Sequence, residues 1–187
     1  MNRRLTVAVA ATAALGLTAA GVATTTAGAA VKKNQIVIKG DFIFRAGKGV
    51  SDNQRFRPFT AKVKSGATVT VLNKSKTEDP HTLSFAQKQF LPTGFESPVI
   101  GPLFGLHNLD EDDPAAVPVP LVDNGVPMPG QTTNLAVDTL GTDQGGGDSL
   151  LLFGKAPVKF DVTAAAGSKL YYFCIFHPWM QGKISVT

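Results

Sequence analysis

Short runs in which apolar and polar side chains alternate every second residue restrict the fold most, and they occur in two separated parts of the chain. Ala61 and Val63 alternate with Lys62 and Lys64, Ser65-Gly66 supplies a turn, and Val69 and Val71 alternate with Thr68 and Thr70. Gln35 to Ile38 and Asp41 to Phe44 read as strands, and Thr82-Leu83-Ser84-Phe85 alternates again. From about Leu150 the style returns: Val158, Phe160 and Val162 alternate, Ala166-Gly167-Ser168 turns, Leu170 to Phe176 is a dense aromatic strand, and Ile184 and Val186 close the chain. A period of two places every other side chain on one face of a strand and cannot do so on a helix. No amphipathic helical pattern competes in either part. Short strands at this spacing predict an all-β, antiparallel sandwich or barrel.

Between the two parts, residues of about 89–154 have a different composition. This middle section holds nine acids and neither Lys nor Arg, whereas the rest of the chain from Val31 onward carries 16 bases and five acids. A basic body therefore encloses an acidic insertion. Eight prolines, from Pro92 to Pro129, forbid long helices and central strands there. An insertion this long is expected to be functional or unstructured, or else to be a solvated surface excursion. Its apolar clusters, Val99-Ile100 with Leu103-Phe104 and Leu150 to Phe153, predict that part of it packs.

Residues 1–30 read as an export signal: Asn2-Arg3-Arg4, then a nearly uncharged run from Leu5 to Ala23, then small residues fitting a cleavage site at Ala27 to Ala30. The expectation is a single domain over 31–187, exported from the cytoplasm. A membrane link would exist only through an uncleaved signal. The lone Cys174 excludes an internal disulfide framework and any cluster held by cysteine alone. It also needs an explanation in an oxidising compartment.

That explanation lies in Tyr172-Phe173-Cys174-Ile175-Phe176-His177-Pro178-Trp179-Met180-Gln181-Gly182. Its Cys-x2-His-x2-Met spacing lets a tight loop at a strand end bring a thiolate, an imidazole and a thioether round one point. One thiolate, two imidazoles and a weak axial thioether form the donor set of a blue-copper electron-transfer site. The second imidazole must come from elsewhere, and His81, just before the Thr82 to Phe85 strand, is well placed. The third histidine, His107, reads as a solvent-exposed loop residue; the sharper alternative has the insertion fold over the copper end, with His107 altering access or adding a weak site.

Asn73 through Leu83 and Tyr172 through Val186 together resemble the cupredoxin (plastocyanin/azurin) family, and the loop from Cys174 to Lys183 is most similar to that of amicyanin. The resemblance covers the two strand-rich sections and not the insertion. It implies an eight-stranded Greek-key β-sandwich with one copper near one end. His81 and His177 would be the equatorial imidazole ligands, Cys174 the equatorial thiolate and Met180 the long axial ligand. Thr82 stands where the family often has Asn or Ser and can steady the thiolate loop through its hydroxyl. Asn73 falls in the surrounding shell. The exposed edge of His177, ringed by Pro178 and Trp179, would be the electron port.

Three histidines in total cannot supply the further copper centres of an oxidase or nitrite reductase, and one cysteine cannot bridge a dinuclear centre, so no enzyme activity is expected. The expected role is an electron carrier between a redox donor and an acceptor, monomeric and without a nucleic-acid partner. An envelope copper-binding carrier for storage or delivery is the alternative on the same fold, and a metal-free partner-binding module is a third reading.

Overall fold

The alternating runs of the first section become strands β1 (Gln35–Lys39), β2 (Phe42–Arg45), β3 (Gly49–Asp52), β4 (Arg55–Arg57), β5 (Thr60–Val63), β6 (Thr68–Asn73) and β7 (His81–Ala86). The insertion forms helix α1 (Ile100–Leu106) and strands β8 (Leu121–Asp123), β9 (Val126–Met128), β10 (Leu135–Val137) and β11 (Ser149–Leu152). The last section gives β12 (Val158–Val162), β13 (Lys169–Phe173) and β14 (Gln181–Val186). This computed structural model describes residues 32–109, 113, 115–132 and 134–187. The export segment 1–30, and Asp110, Glu111 and Asp112 of the acidic run, lie outside the described residues.

Two sheets pack face to face. One has the order β10-β12-β6-β1-β4 and the other β5-β14-β13-β7-β11-β8-β9; β2 and β3 form a separate hairpin. The strand-rich sections supply eight strands of the two sheets, a β-sandwich. The insertion adds one edge strand to the first sheet and three strands to the second. Inward residues of alternating strands, among them Ile36, Ile38, Val69, Val71, Phe160, Leu83, Phe85, Leu170, Tyr172 and Ile184, make one core. Gly182 faces Tyr172 across β13 and β14, and a Cβ there would come within 2.5 Å of the Tyr172 hydroxyl. Only glycine leaves room for that ring.

The insertion is thus part of the sandwich and not a loop laid on its surface. Its prolines do not exclude an inner strand, because Ser149 to Leu152 is free of them. β11 pairs with β7 on one side and β8 on the other. Asp148, just before β11, is fully buried and accepts backbone N–H bonds from Asn124 (2.9 Å), Asp138 (2.9 Å) and Thr139 (2.7 Å). One carboxylate therefore fastens the β8–β9 turn and the end of β10 to the start of β11. Helix α1 covers the outer face of the second sheet: Val99, Ile100 and Leu103 pack with Ala86, Phe173 and Ile175 in a second apolar cluster.

Candidate metal centre

The aromatic strand ends earlier than its composition suggests. β13 stops at Phe173, because the Cys174 N–H turns to donate to the Met180 carbonyl (3.0 Å) while the Met180 N–H donates to the His177 carbonyl (2.7 Å). Those two bonds close a tight loop from Cys174 to Met180, at the end of the sheet where β7 begins with His81. β13 and β7 are neighbours, so the far-upstream histidine meets the loop through strand pairing alone.

A ring nitrogen of His81, the Cys174 Sγ and a ring nitrogen of His177 lie within 4.8 Å of one another. The sulfur is 3.9 Å from His81 Nδ1 and 3.6 Å from His177 Nδ1. Metal–nitrogen bonds of about 2.0 Å and metal–sulfur bonds of about 2.3 Å at tetrahedral or trigonal angles put such donors about 3.5–3.7 Å apart. The observed spacing fits one shared ion. The two rings lie with centroids 4.9 Å apart and planes tilted by 36°. Met180 is fully buried beside them, held in place by its backbone bonds to Cys174 and His177. His81, Cys174, His177 and Met180 form the ligand pattern of a type 1 copper site.

Dryness governs the electrostatics. Burial pushes the Cys174 thiol up to about 11, although the N–H groups of Thr82, Phe176 and His177 pull the other way. The Thr82 N–H donates to the sulfur at 3.3 Å, and the Thr82 hydroxyl accepts from Ile175 N–H at 3.0 Å. Burial likewise lowers His81 to about 4, and it lowers His177 against the opposing pull of Asp52 and Asp79. In the metal-free protein both imidazoles are therefore neutral at pH 7, as ligation requires.

The rim of the site differs from expectation. The Nε2 edge of His177 does not open to solvent: it faces the Asp52 carboxylate at 3.5 Å, and the residue is 8% exposed. Gln54 sets that carboxylate, donating its backbone N–H to Asp52 Oδ1 (2.8 Å) while its side-chain amide donates to Asp79 (3.0 Å). Beside it runs a cleft of about 310 Å³ lined by Phe42, Asp52, Phe95, His177 and Trp179. Trp179, 49% exposed, lies edge-on to His177 and to Phe95. Pro178 is buried, and its carbonyl accepts from Gln181. Asn73 bonds to the Gly154 carbonyl and to Ser75, fixing the chain that leads into β12.

His107 is not a solvent-exposed loop residue. It is fully buried, with Nδ1 2.6 Å from the Val119 carbonyl and Nε2 2.7 Å from Ser149 Oγ. Sequence reasoning also missed Asp52, Gln54, Ser84 and Ser149, which carry no spacing signal toward the Cys174 loop.

No family model matches the chain, and no curated protein matches it. Among solved structures, the chain is similar to a purple cupredoxin from Nitrosopumilus maritimus (16% identity over 83% of this chain and 100% of that one, TM-score 0.35). It is similar to auracyanin A, a blue copper protein from Chloroflexus aurantiacus (22% identity, 82% and 99%, TM-score 0.38). It is also similar to a reduced variant of amicyanin (16% identity, 84% and 86%, TM-score 0.36).

Proposed function

We propose that the protein is an exported, mononuclear type 1 copper protein that carries single electrons between a redox donor and an acceptor. The supporting observation is the convergence of two Nδ1 atoms and one sulfur at bonding separations for a single ion, with Met180 beside them, in a pocket closed to water. Bound copper supplies one-electron cycling between Cu(I) and Cu(II), and the mixed soft and imidazole donor set accommodates both states. The chain's own contribution is rigidity. The Cys174–Met180 backbone bond, the Thr82 contacts to the loop and the Asp52 carboxylate behind His177 hold the donors, so that neither oxidation state requires large rearrangement. The exposed ring of Trp179 and its neighbour Phe95 offer an apolar rim for a partner, while the separation of acidic insertion from basic body favours charge-guided docking. The export reading rests on residues 1–30; no helix among the described residues is long and apolar enough to cross a membrane.

A delivery protein built on the same ligands needs donors that partners can reach, and here they are buried to 8% exposure or less. That favours electron carriage over copper carriage. Copper(II) added to the purified protein is expected to produce an intense visible thiolate-to-copper band and an EPR spectrum with narrow copper hyperfine splitting, both absent in Cys174→Ser. A colourless protein with ordinary tetragonal copper(II) signals would discard the reading. Stopped-flow electron exchange with a small redox protein, slowed by salt, is expected to outrun copper transfer to a chelator; the reverse order would favour the delivery role.

A further inference from the structure

Beside the metal centre, four segments distant in sequence converge on one cleft of about 310 Å³. The β2–β3 hairpin supplies Phe42 and its cross-strand partner Asp52. The loop before β7 supplies Asp79, the insertion supplies Phe95, and the ligand loop supplies Trp179 beside His177. Phe42 is 45% exposed, Trp179 49% and Phe95 60%. Three aromatic rings left in water around one cavity mark a place for a ligand or a partner.

The floor of the cleft carries unmet charge. The Asp52 side chain is 9% exposed. The Gln54 amide, itself buried, reaches Asp52 Oδ2 (3.5 Å) and Asp79 Oδ2 (3.0 Å) with the same nitrogen. A neutral amide thus holds two carboxylates together and cancels neither charge. Among the described residues no Lys or Arg pairs with them: Lys76 pairs with Asp41, and Lys155 donates to the Ser75 and Thr77 carbonyls. Like charges held this close repel, and a cation placed between them relieves the repulsion.

Aromatic walls over paired carboxylates suit an organic cation. The rings attract it electrostatically, whereas a hard metal ion would find too few oxygen ligands. The carboxylates stand on separate residues, which matches the separate donors of an ammonium better than the planar fork of a guanidinium. Walls exposed this far stay wet around a free amine; a side chain borne on a protein surface covers them. We propose that the cleft receives a lysine side chain of the redox partner, its ammonium between Asp52 and Asp79 and its methylenes against Phe42, Phe95 and Trp179. The choice of partner rests on the electron-carrier reading above; the cation site itself does not. Bound there, the ammonium offsets the Asp52 charge behind His177 and so favours the reduced ion. By linkage, the reduced protein holds the lysine more tightly.

Trp179 is the only tryptophan of the chain, so its fluorescence reports the cleft in the metal-free protein. An end-blocked tripeptide with lysine between two glycines is titrated at low salt, against its Nε-acetyl-lysine counterpart and n-butylammonium. The lysine peptide is expected to give a saturable change that the acetylated one does not. Asp52→Asn and Asp79→Asn should each weaken its binding about tenfold, the scale of one charge-assisted hydrogen bond. A flat titration, an equal response to the acetylated peptide, or unweakened binding in the folded double variant overturns the site. Binding of n-butylammonium as tight as that of the peptide gives the cleft to free amines and overturns the partner assignment. In the copper-loaded protein, saturating peptide should raise the Cu(I)-to-Cu(II) affinity ratio severalfold; an unmoved potential in a blue protein overturns the redox linkage. A wild type that never turns blue defeats the copper reading instead, and the metal-free titration then judges the cleft alone.

Discussion

Cys174 is held protonated by its surroundings until something replaces the proton. In the metal-free protein its thiol is pushed up to about 11 by burial, while His81 is pushed down to about 4 by the same cause and His177 is lowered too. At pH 7 the pocket therefore offers two neutral imidazoles and one thiol. Copper binding must expel the thiol proton, and neither imidazole has one to lose. Binding is expected to release one proton per copper at pH 7, and the apparent affinity should rise about tenfold per pH unit from pH 6.5 to 8.5. Competition with a chelator of known affinity across that range checks it. An affinity independent of pH would mean that the thiolate is preformed or is not a ligand. Asp52 belongs to the same scale: with its carboxylate 3.5 Å from His177 Nε2, it holds the ring from behind and leaves Nδ1 to face the sulfur.

Within the insertion, Asp148 joins three separate segments. Its oxygens receive three backbone N–H groups from the β8–β9 turn and from the end of β10, at a fully buried position. Burial raises its pKa in spite of those donors. Asp148→Ala removes the acceptor for all three, and the expected loss is roughly 3–5 kcal/mol of unfolding free energy, read as a lowered urea midpoint. A loss below about 1 kcal/mol would show that water replaces the carboxylate. The same elements explain what could be read in advance. The loop ligands were legible because Cys174, His177 and Met180 crowd into one turn, where spacing alone places donors together. His81 followed because it opens an alternating strand of the kind that pairs with β13. Ser84 and Ser149 were not legible: they stand 65 positions apart, and each looks alone like the outward half of an ordinary strand. His107 looked exposed because its neighbours Gly105 and Asn108 are loop formers, and only the pairing of β11 with β7 shows what covers it. The prolines correctly limited the insertion to one short helix and brief strands, but proline counting over a long window hid the Pro-free stretch that becomes β11.

Across the molecule, all three histidines of the chain are buried and all three are shifted in the same direction. His81, His107 and His177 are each lowered, chiefly by burial. In the unfolded chain each binds a proton near pH 6.5. In the folded, metal-free protein His81 does not do so until about pH 4. Between those values the unfolded state holds more protons, so stability falls as the pH falls; it is fully present above 6.5 and lost progressively toward about 4. For His81 the whole shift corresponds to roughly 3 kcal/mol, with the other two adding in the same sense. Asp148, raised by its burial, acts oppositely, as a single group against three. Most carboxylates stay ionised down to about pH 5, so the interval from 6.5 to 5 isolates the histidines. The urea midpoint of the metal-free protein is expected to drop steadily through that interval. Copper should raise the midpoint at every pH but steepen the drop, because the loaded folded chain also gives up the Cys174 proton and so binds still fewer protons than the unfolded chain. A metal-free midpoint that stays level from pH 6.5 to 5 would mean that the histidine pocket opens to water before the domain unfolds, and that the closed metal centre is not an integral part of the core.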